Sequence, residues 1–464
     1  MLRTRNLQPS LWESVLPEVC LRLPAELERV DAWLDDEGFF EPFRAHFDAR
    51  LGRPSVPIET YLRLMFLKFR YRLGYETLCR EVADSISWRR FCRIDIDGRV
   101  PHPTALMKIT TRCGEATVTA LNQTLLAKAV EAKVVKTGKV RADTTVVSAN
   151  VEYPTDSGLL ARAVTKISKL VRRIKAAGGA TRTRFRDRSR SATTRVRAIA
   201  AKLKLRSAAG REEGQATVLR LTGELADLAD GTGHDADAVL NNARRALRRT
   251  AGRVRGRLRR AIDELATTVE RSRRIVAQTR LRLAGDKPDS AIRLVSLHDP
   301  DARPIAKGRI NRPVEFGYKA QIVDNEDGIV LDYTLDEGNP ADAPQLAPAI
   351  ARITRRTGQV PAAVTADRGY GEARVENDLR GIGVRTVAIP RKGQPGRARQ
   401  RIEHGRGFRE LVKWRTGCEG RISHLKHRYG WARSGGAGRE RTATWCGHGI
   451  LAHNLVKITA LAAA

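Results

Sequence analysis

Cysteine pairs are missing from this 464-residue chain. Cys20, Cys79, Cys92, Cys113, Cys418 and Cys446 are scattered, and no Cys-x-x-Cys occurs. That spacing argues against a zinc finger and a disulfide framework, and leaves reduced, partly buried thiols as the expectation. No run of 18 apolar residues is present, so no membrane-spanning helix is predicted. The opening MLRTRNLQPSLWESV has no apolar signal-peptide core, and a cytoplasmic protein is expected. Acids are outnumbered, with 85 Lys and Arg against 52 Asp and Glu, a net charge of +33. Such a field favours polyanions. Nucleic acid is the default partner, and an acidic membrane surface is the other option.

Aromatics are absent where charge is densest. Between Pro154 and Lys287 only Phe185 occurs, which counts against RNA recognition by base stacking. Residues 181–206 hold ten Lys or Arg against one Asp, and 244–260 hold nine Arg with no acid. Leucines at 219, 221, 225 and 228, then Val254, Leu258, Ile262 and Leu265, keep helical spacing. The segment 154–288 therefore reads as a basic all-helical insertion. Its cationic faces either track DNA phosphates or are simply solvated, and charge left uncompensated would repel itself.

The flanks differ. Residues 1–130 read as an all-α domain, with helices from Ile58 to Phe69, Tyr75 to Ala83, Trp88 to Arg93 and Thr104 to Lys128. Short helices with tight joints and many Arg fit a helix-turn-helix DNA reader, and a plain helical bundle with a basic exterior fits as well. Beyond residue 289, Val314 to Ile322 and Ile329 to Leu335 alternate on either side of Asn325-Glu326-Asp327-Gly328, which predicts a hairpin. A helix from Asp342 to Thr357 closed by Gly358, a strand ending at Asp367, a helix from Glu372 to Arg380, a strand at 385–389 and a last basic helix follow. With a first strand in 136–153, the fold class is α/β, a mixed sheet flanked by helices.

Three carboxylates stand out in that order. Asp143 lies in KVRADTTVVSAN, where Val140, Ala142, Thr144 and Val146 repeat every second residue. This predicts a strand with Asp143 opposite that set. Asp367 closes the run PAAVTAD before the glycines at 369 and 371, and the carboxyl end of a buried strand is where loop and ligand meet. Glu419 lies in LVKWRTGCEGRISHLKHRYG, read as one helix that puts Arg415 and Lys426 on the same face. Singly these are a solvated acid, a turn Asp and a salt-bridge partner of Arg415. Together they are what two-metal phosphoryl displacement needs. Mg²⁺ takes oxygen ligands and keeps several waters, and two ions about 4 Å apart serve both the attacking and the leaving oxygen. The expected arrangement has Asp143 bridging two Mg²⁺ ions, Asp367 holding one and Glu419 the other, with Mn²⁺ able to substitute.

Arg415 and Lys426 are expected on the DNA backbone, joined by Arg368 and by Lys392 and Arg397 of a basic loop whose alternative is a solvated, disordered segment. His404, His424, His427, His448 and His453 cluster late in the chain, without the spacing to Cys or acids that zinc requires. A backbone contact by His424 or His427 stays open.

On these motifs the chain resembles the DDE transposases of bacterial insertion sequences, in the ISNCY-type group or the related IS4/IS5-like assemblage. The resemblance covers SVPIETYLRLMFLKFRYRLGYETLCREVADSISWRRFCRI, RADTTVVSANVEYPTDS, RPVEFGYKAQIVDNEDGIVLDY, TADRGYG and the Arg-x3-Glu-x6-Lys helix. It implies a ribonuclease-H-like catalytic core interrupted after its first strand, with the catalytic acids on Asp143, Asp367 and Glu419. The family's helix signature often has a Tyr three residues before the Arg. Val412 stands there, so that Tyr's role does not carry over. The resemblance implies binding of double-stranded DNA at element ends and target, cleavage and strand transfer, a homodimer on DNA and a nucleoid location. A ribonuclease-H-fold nuclease without strand transfer and a non-catalytic DNA-binding regulator are the rivals. No nucleophile constellation for a covalent protein–DNA intermediate is found.

Overall fold

The computed structural model describes residues 1–6, 12–204, 208–307 and 313–464. The chain forms two units, one of residues 1–150 with 318–464, the other of 151–317. No described helix is long and apolar enough to cross a membrane.

The first unit is built on a sheet whose strands are β1 (Lys139–Ser148), β3 (Val314–Asn325), β4 (Val330–Glu337), β5 (Ala363–Ala366) and β6 (Thr386–Ala388). Residues 314–317 of β3 belong to the second unit and pair there antiparallel with β2 (Arg303–Ala306). In the first unit the order is β4-β3-β1-β5-β6, with β1, β5 and β6 parallel and β3 and β4 antiparallel. This is a mixed sheet of ribonuclease-H-like order flanked by helices.

The period of two along β1 does not separate core from solvent. Arg141, Asp143, Thr145 and Val147 are as buried as Val140, Ala142 and Val146, as befits a central strand covered on both faces. The hairpin forms as the alternation predicts. Asn325 shapes its turn, with Gly328 N donating to its carbonyl at 3.1 Å and Ile329 N to its Oδ1 at 2.8 Å. Gly328 takes φ +78, a left-handed conformation that favours glycine.

Helices pack around this sheet. Ala343–Thr357 is closed by Gly358 in the left-handed conformation, whose N–H reaches Thr354 O. Arg439–Ala462 is buried along most of its length and packs on Pro103–Glu131, Ile58–Arg70 and Ala25–Leu34. Its Asn454 side chain both donates to and accepts from the Val330 backbone, at 2.8 and 3.0 Å, and so pairs polar groups of the edge strand β4. Ile58–Arg70 is buried on every side, including Arg63, which donates to Asp31 Oδ1 at 2.6 Å and Asp35 Oδ1 at 3.0 Å. Tyr75–Asp84 and Ile86–Phe91 follow it. Pro103–Glu131, expected as one regular helix, is broken at Gly114, where the backbone leaves helical geometry.

The second unit is helical, with Asp156–Ala176, Ser189–Lys202, Ala208–Arg248 and Gly252–Leu283. Thr155 caps the first through a bond from Gly158 N at 3.1 Å. Two apolar clusters hold the bundle, one around Leu160, Leu225 and Ile275, the other around Ile167, Val239 and Leu265. Part of the Arg charge is compensated internally. Arg188 meets Asp235 at 2.7 Å, Arg195 meets Glu224 at 2.8 Å and Arg282 meets Asp156 at 2.7 Å. The nine arginines of 244–260 differ, since all of them are exposed.

Candidate active site

Parallel pairing of β1 with β5 brings two of the acids together. The register Lys139↔Ala363 to Ala142↔Ala366 makes Asp143, midway along β1, and Asp367, just past the end of β5, the next residues in line. Asp143 is 8% exposed; its Oδ1 accepts from Thr144 N at 2.7 Å. Asp367 begins a short turn over Arg368–Tyr370 and accepts from Gly369 N at 2.9 Å.

Glu419 comes from the first turn of Gly417–Arg428, and its side chain is 65% exposed. Arg415 joins it to the pair. One guanidinium nitrogen lies 3.2 Å from Asp143 Oδ2 and the other 3.4 Å from Glu419 Oε1. The helix expected to carry both Arg415 and Glu419 is interrupted at Thr416, and Arg415 ends the separate helix Arg406–Arg415.

That break is anchored from beneath. Arg141, two residues before Asp143 on β1, donates from Nε and Nη2 to Asp324 at 2.8 and 3.0 Å. Its Nη1 donates to Trp414 O at 2.8 Å, and its guanidinium lies 4.6 Å from the centre of the Trp414 ring. Arg421 reaches the same Asp324 at 3.4 Å. A methyl group on Gly417 would collide with the Arg141 guanidinium, and one on Gly328 with that of Arg421. Two glycines thus make room for the arginines that hold the Glu419 helix to the sheet.

The electrostatics follow from crowding. Burial pushes the Asp143 carboxyl up to about 6; the Thr144 hydrogen bond and Arg415 oppose this, and Asp367 and Glu419 add repulsion. Asp367 is raised by burial and then by a further carboxylate, Asp342. Sequence reasoning missed Asp342 because an acid just before a helix reads as an N-cap. It has helical φ and ψ and makes no side-chain cap bond. Lys319 Nζ lies 2.7 Å from its Oδ1.

The other expected phosphate-binding residues fall in different places. Arg368 donates to Arg391 O at 3.0 Å and also to Gly393 O, which ties the basic loop to the Asp367 turn. Lys392 Nζ meets Glu372 at 3.1 Å. Arg397 is exposed at the start of Arg397–His404. Lys426 lines a separate cavity of about 170 Å³ with Lys68, Arg72, Arg433 and Trp445. His448 and His453 are buried, and burial drives both down to about 3, so they are neutral core residues. All six cysteines are free thiols.

Among the described residues no three His, Cys, Asp or Glu groups stand close enough to enclose a metal ion. The donor set nevertheless fits a hard divalent cation. All its atoms are carboxylate oxygens, and Arg415 already supplies positive charge between Asp143 and Glu419. Gly369 lets these oxygens approach the turn, because a Cβ there would sit 3.0 Å from Asp367 Oδ1 and 3.4 Å from Asp342 Oδ2, closer than side chains ordinarily pack.

Comparison with known families gives two matches. A model described as a transposase domain (DUF772) matches residues 20–112, and one described as a transposase DDE domain matches residues 271–455. No curated protein and no solved structure matches. Asp367 and Glu419 lie inside the second segment, whereas Asp143 lies outside both.

Proposed function

This chain belongs to the DDE transposases of insertion sequences, and we propose that it binds the ends of its own element, cleaves at the element–flank junction and joins the 3′ hydroxyl to target DNA. The observation that supports this most is the placement of Asp143, midway along β1, beside Asp367, just past the end of the parallel strand β5, with Glu419 linked to Asp143 through Arg415.

Asp143, Asp367 and Glu419 would hold the divalent ions, Mg²⁺ or Mn²⁺, with Asp143 shared. A divalent ion there supplies Lewis-acid stabilisation of phosphoryl oxygens and makes a bound oxygen a stronger nucleophile at neutral pH. The chain's own groups do the rest. Asp143 is buried and Asp367 half-buried, so their charge acts more strongly on whatever lies between them than it would in open water. Arg415 holds Glu419 in register with Asp143 until substrate arrives, then turns to the DNA phosphate. Lys426, Arg368, Lys392 and Arg397 bind backbone phosphates on either side. Water attacks first and the freed 3′ hydroxyl second, so no protein–DNA bond forms.

The helical region 1–130 reads the element ends, and the exposed arginines of 244–260 add contacts to phosphates. Two ends must meet before joining, which calls for a homodimer on DNA. The charge of +33 keeps the protein on the nucleoid.

The test is a supercoiled plasmid carrying the DNA that flanks the reading frame, incubated with protein and Mg²⁺ beside Asp367→Ala, with new 3′ ends mapped. Metal-dependent ends at the element boundary, lost in the variant, and joined products are the expected result. Ends without joining would leave a nuclease. Tight end-specific binding without cleavage would leave a regulator.

A further inference from the structure

Asp342 is the carboxylate that the three-acid scheme leaves unused. It sits at the start of Ala343–Thr357, on the helix that follows the β3–β4 hairpin, and makes no side-chain bond to the helix end it would ordinarily cap. One oxygen is held 2.7 Å from Lys319 Nζ, and Lys319 itself donates to Pro340 O at 2.6 Å. The other oxygen, Oδ2, and Asp367 Oδ1 both lie beside Gly369, 3.4 and 3.0 Å from where a Cβ on that glycine would sit. Asp342 is the strongest charged influence on Asp367.

An independent group points into the same space. The Tyr370 hydroxyl is fully buried and has no hydrogen-bond partner. The carboxylates that act on it are Asp342, Asp143 and Asp367, in that order. A buried hydroxyl left unpaired is destabilising, and a hydrated ligand among those acids would satisfy it. A purely structural Asp342–Lys319 bridge accounts for the ion pair. It gives no reason for placing the second carboxyl oxygen against Asp367, where repulsion works against folding.

We propose that Asp342 is a fourth acidic ligand of this centre, sharing a divalent cation with Asp367, and that the Tyr370 hydroxyl hydrogen-bonds within that cation's hydration shell. The proposal rests on the metal-dependent reading of the site given above. Lys319 then serves as the counter-charge that Asp342 gives up when the cation enters.

The experiment measures Mn²⁺ binding to the full-length protein without DNA, by the electron paramagnetic resonance of free Mn²⁺. It compares wild type with Asp342→Asn, Lys319→Met, Tyr370→Phe and the reference variants Asp143→Asn and Asp367→Asn. Asp342→Asn is expected to weaken Mn²⁺ binding by roughly tenfold or more, with an unchanged circular dichroism spectrum. Lys319→Met is expected to tighten binding, because it removes a competing positive charge. Tyr370→Phe is expected to weaken it by a smaller factor. Wild-type affinity in Asp342→Asn, beside weakened Asp367→Asn, overturns the proposal and leaves the three-acid site standing. Unchanged affinity in both Asp143→Asn and Asp367→Asn overturns the metal site itself. Should Asp342→Asn fail to fold, Lys319→Met decides, since unchanged or weaker binding there refutes the role of Asp342.

Discussion

Arg141 and Asp324 form a doubly hydrogen-bonded ion pair, with Nε to Oδ1 at 2.8 Å and Nη2 to Oδ2 at 3.0 Å, and both side chains are almost wholly buried. The pair connects β1, which carries Asp143, to the backbone at Trp414, one residue before Arg415. Position at the acidic centre is therefore set by a charge pair that touches none of its carboxylates.

Breaking that pair from one side should cost stability heavily. Asp324→Leu or Arg141→Met is expected to destabilise the protein by about 3–5 kcal/mol, since a buried charge is left uncompensated. The double variant Arg141→Met/Asp324→Leu should recover much of the loss. Urea unfolding in a double-mutant cycle measures the coupling, and additive losses would mean that the two groups act independently.

The glycine that admits Arg141 makes a separate case. Gly417→Ala forces the guanidinium away from Trp414 O or pushes the Glu419 helix outward, at an expected cost of about 1–3 kcal/mol. Cleavage should fall further than stability predicts, because Glu419 moves with the helix. Cleavage assayed at a temperature where the variant is fully folded separates the two effects.

Asp143 predicts a pH dependence with a definite sign. Its folded carboxyl titrates near 6 against an ordinary value of 3.8, so the metal-free native state binds the proton more tightly than the unfolded chain does. Its contribution is therefore fully present below about pH 4, and stability is lost as pH rises through about 6. The loss is at most roughly 3 kcal/mol. Asp143→Asn should flatten the stability profile between pH 4 and 6, which denaturant midpoints across that range will show.

The exposed arginines of 244–260 should reveal themselves through salt. Replacing four of them with Gln is expected to lower DNA affinity without altering the fold. It should also reduce the slope of log K against log salt by about 0.9 for each phosphate no longer neutralised. An unchanged slope would place this segment away from DNA.

Much of the sheet was legible, because turn chemistry and alternation are local signals. Asn325 to Gly328 announced the hairpin, Gly358 the end of a helix, and Gly369 the turn after Asp367. What stayed hidden depended on contacts between distant segments. Alternation along β1 could not reveal that both faces are covered, since Arg141 is buried by virtue of Asp324 nearly two hundred residues later. Arg415 read as a DNA-backbone contact or the i,i+4 partner of Glu419, and its pairing with Asp143, 272 residues away, left no local signal. Asp342 carried a local signal for a different task, and only its position across Gly369 sets it apart from an ordinary cap.

The excursion of residues 151–317 also sets a clock. Asp143 leaves the ribosome early, yet the strand bearing Asp367 follows only after about 220 further residues, which at about 5–20 residues per second takes roughly ten seconds or more. In that interval the inserted helices complete their own apolar clusters from contacts within the unit. A growing chain thus completes its arginine-rich unit before the second of its two strand acids has been made; if that unit binds DNA as proposed, the hold on DNA comes before the active centre.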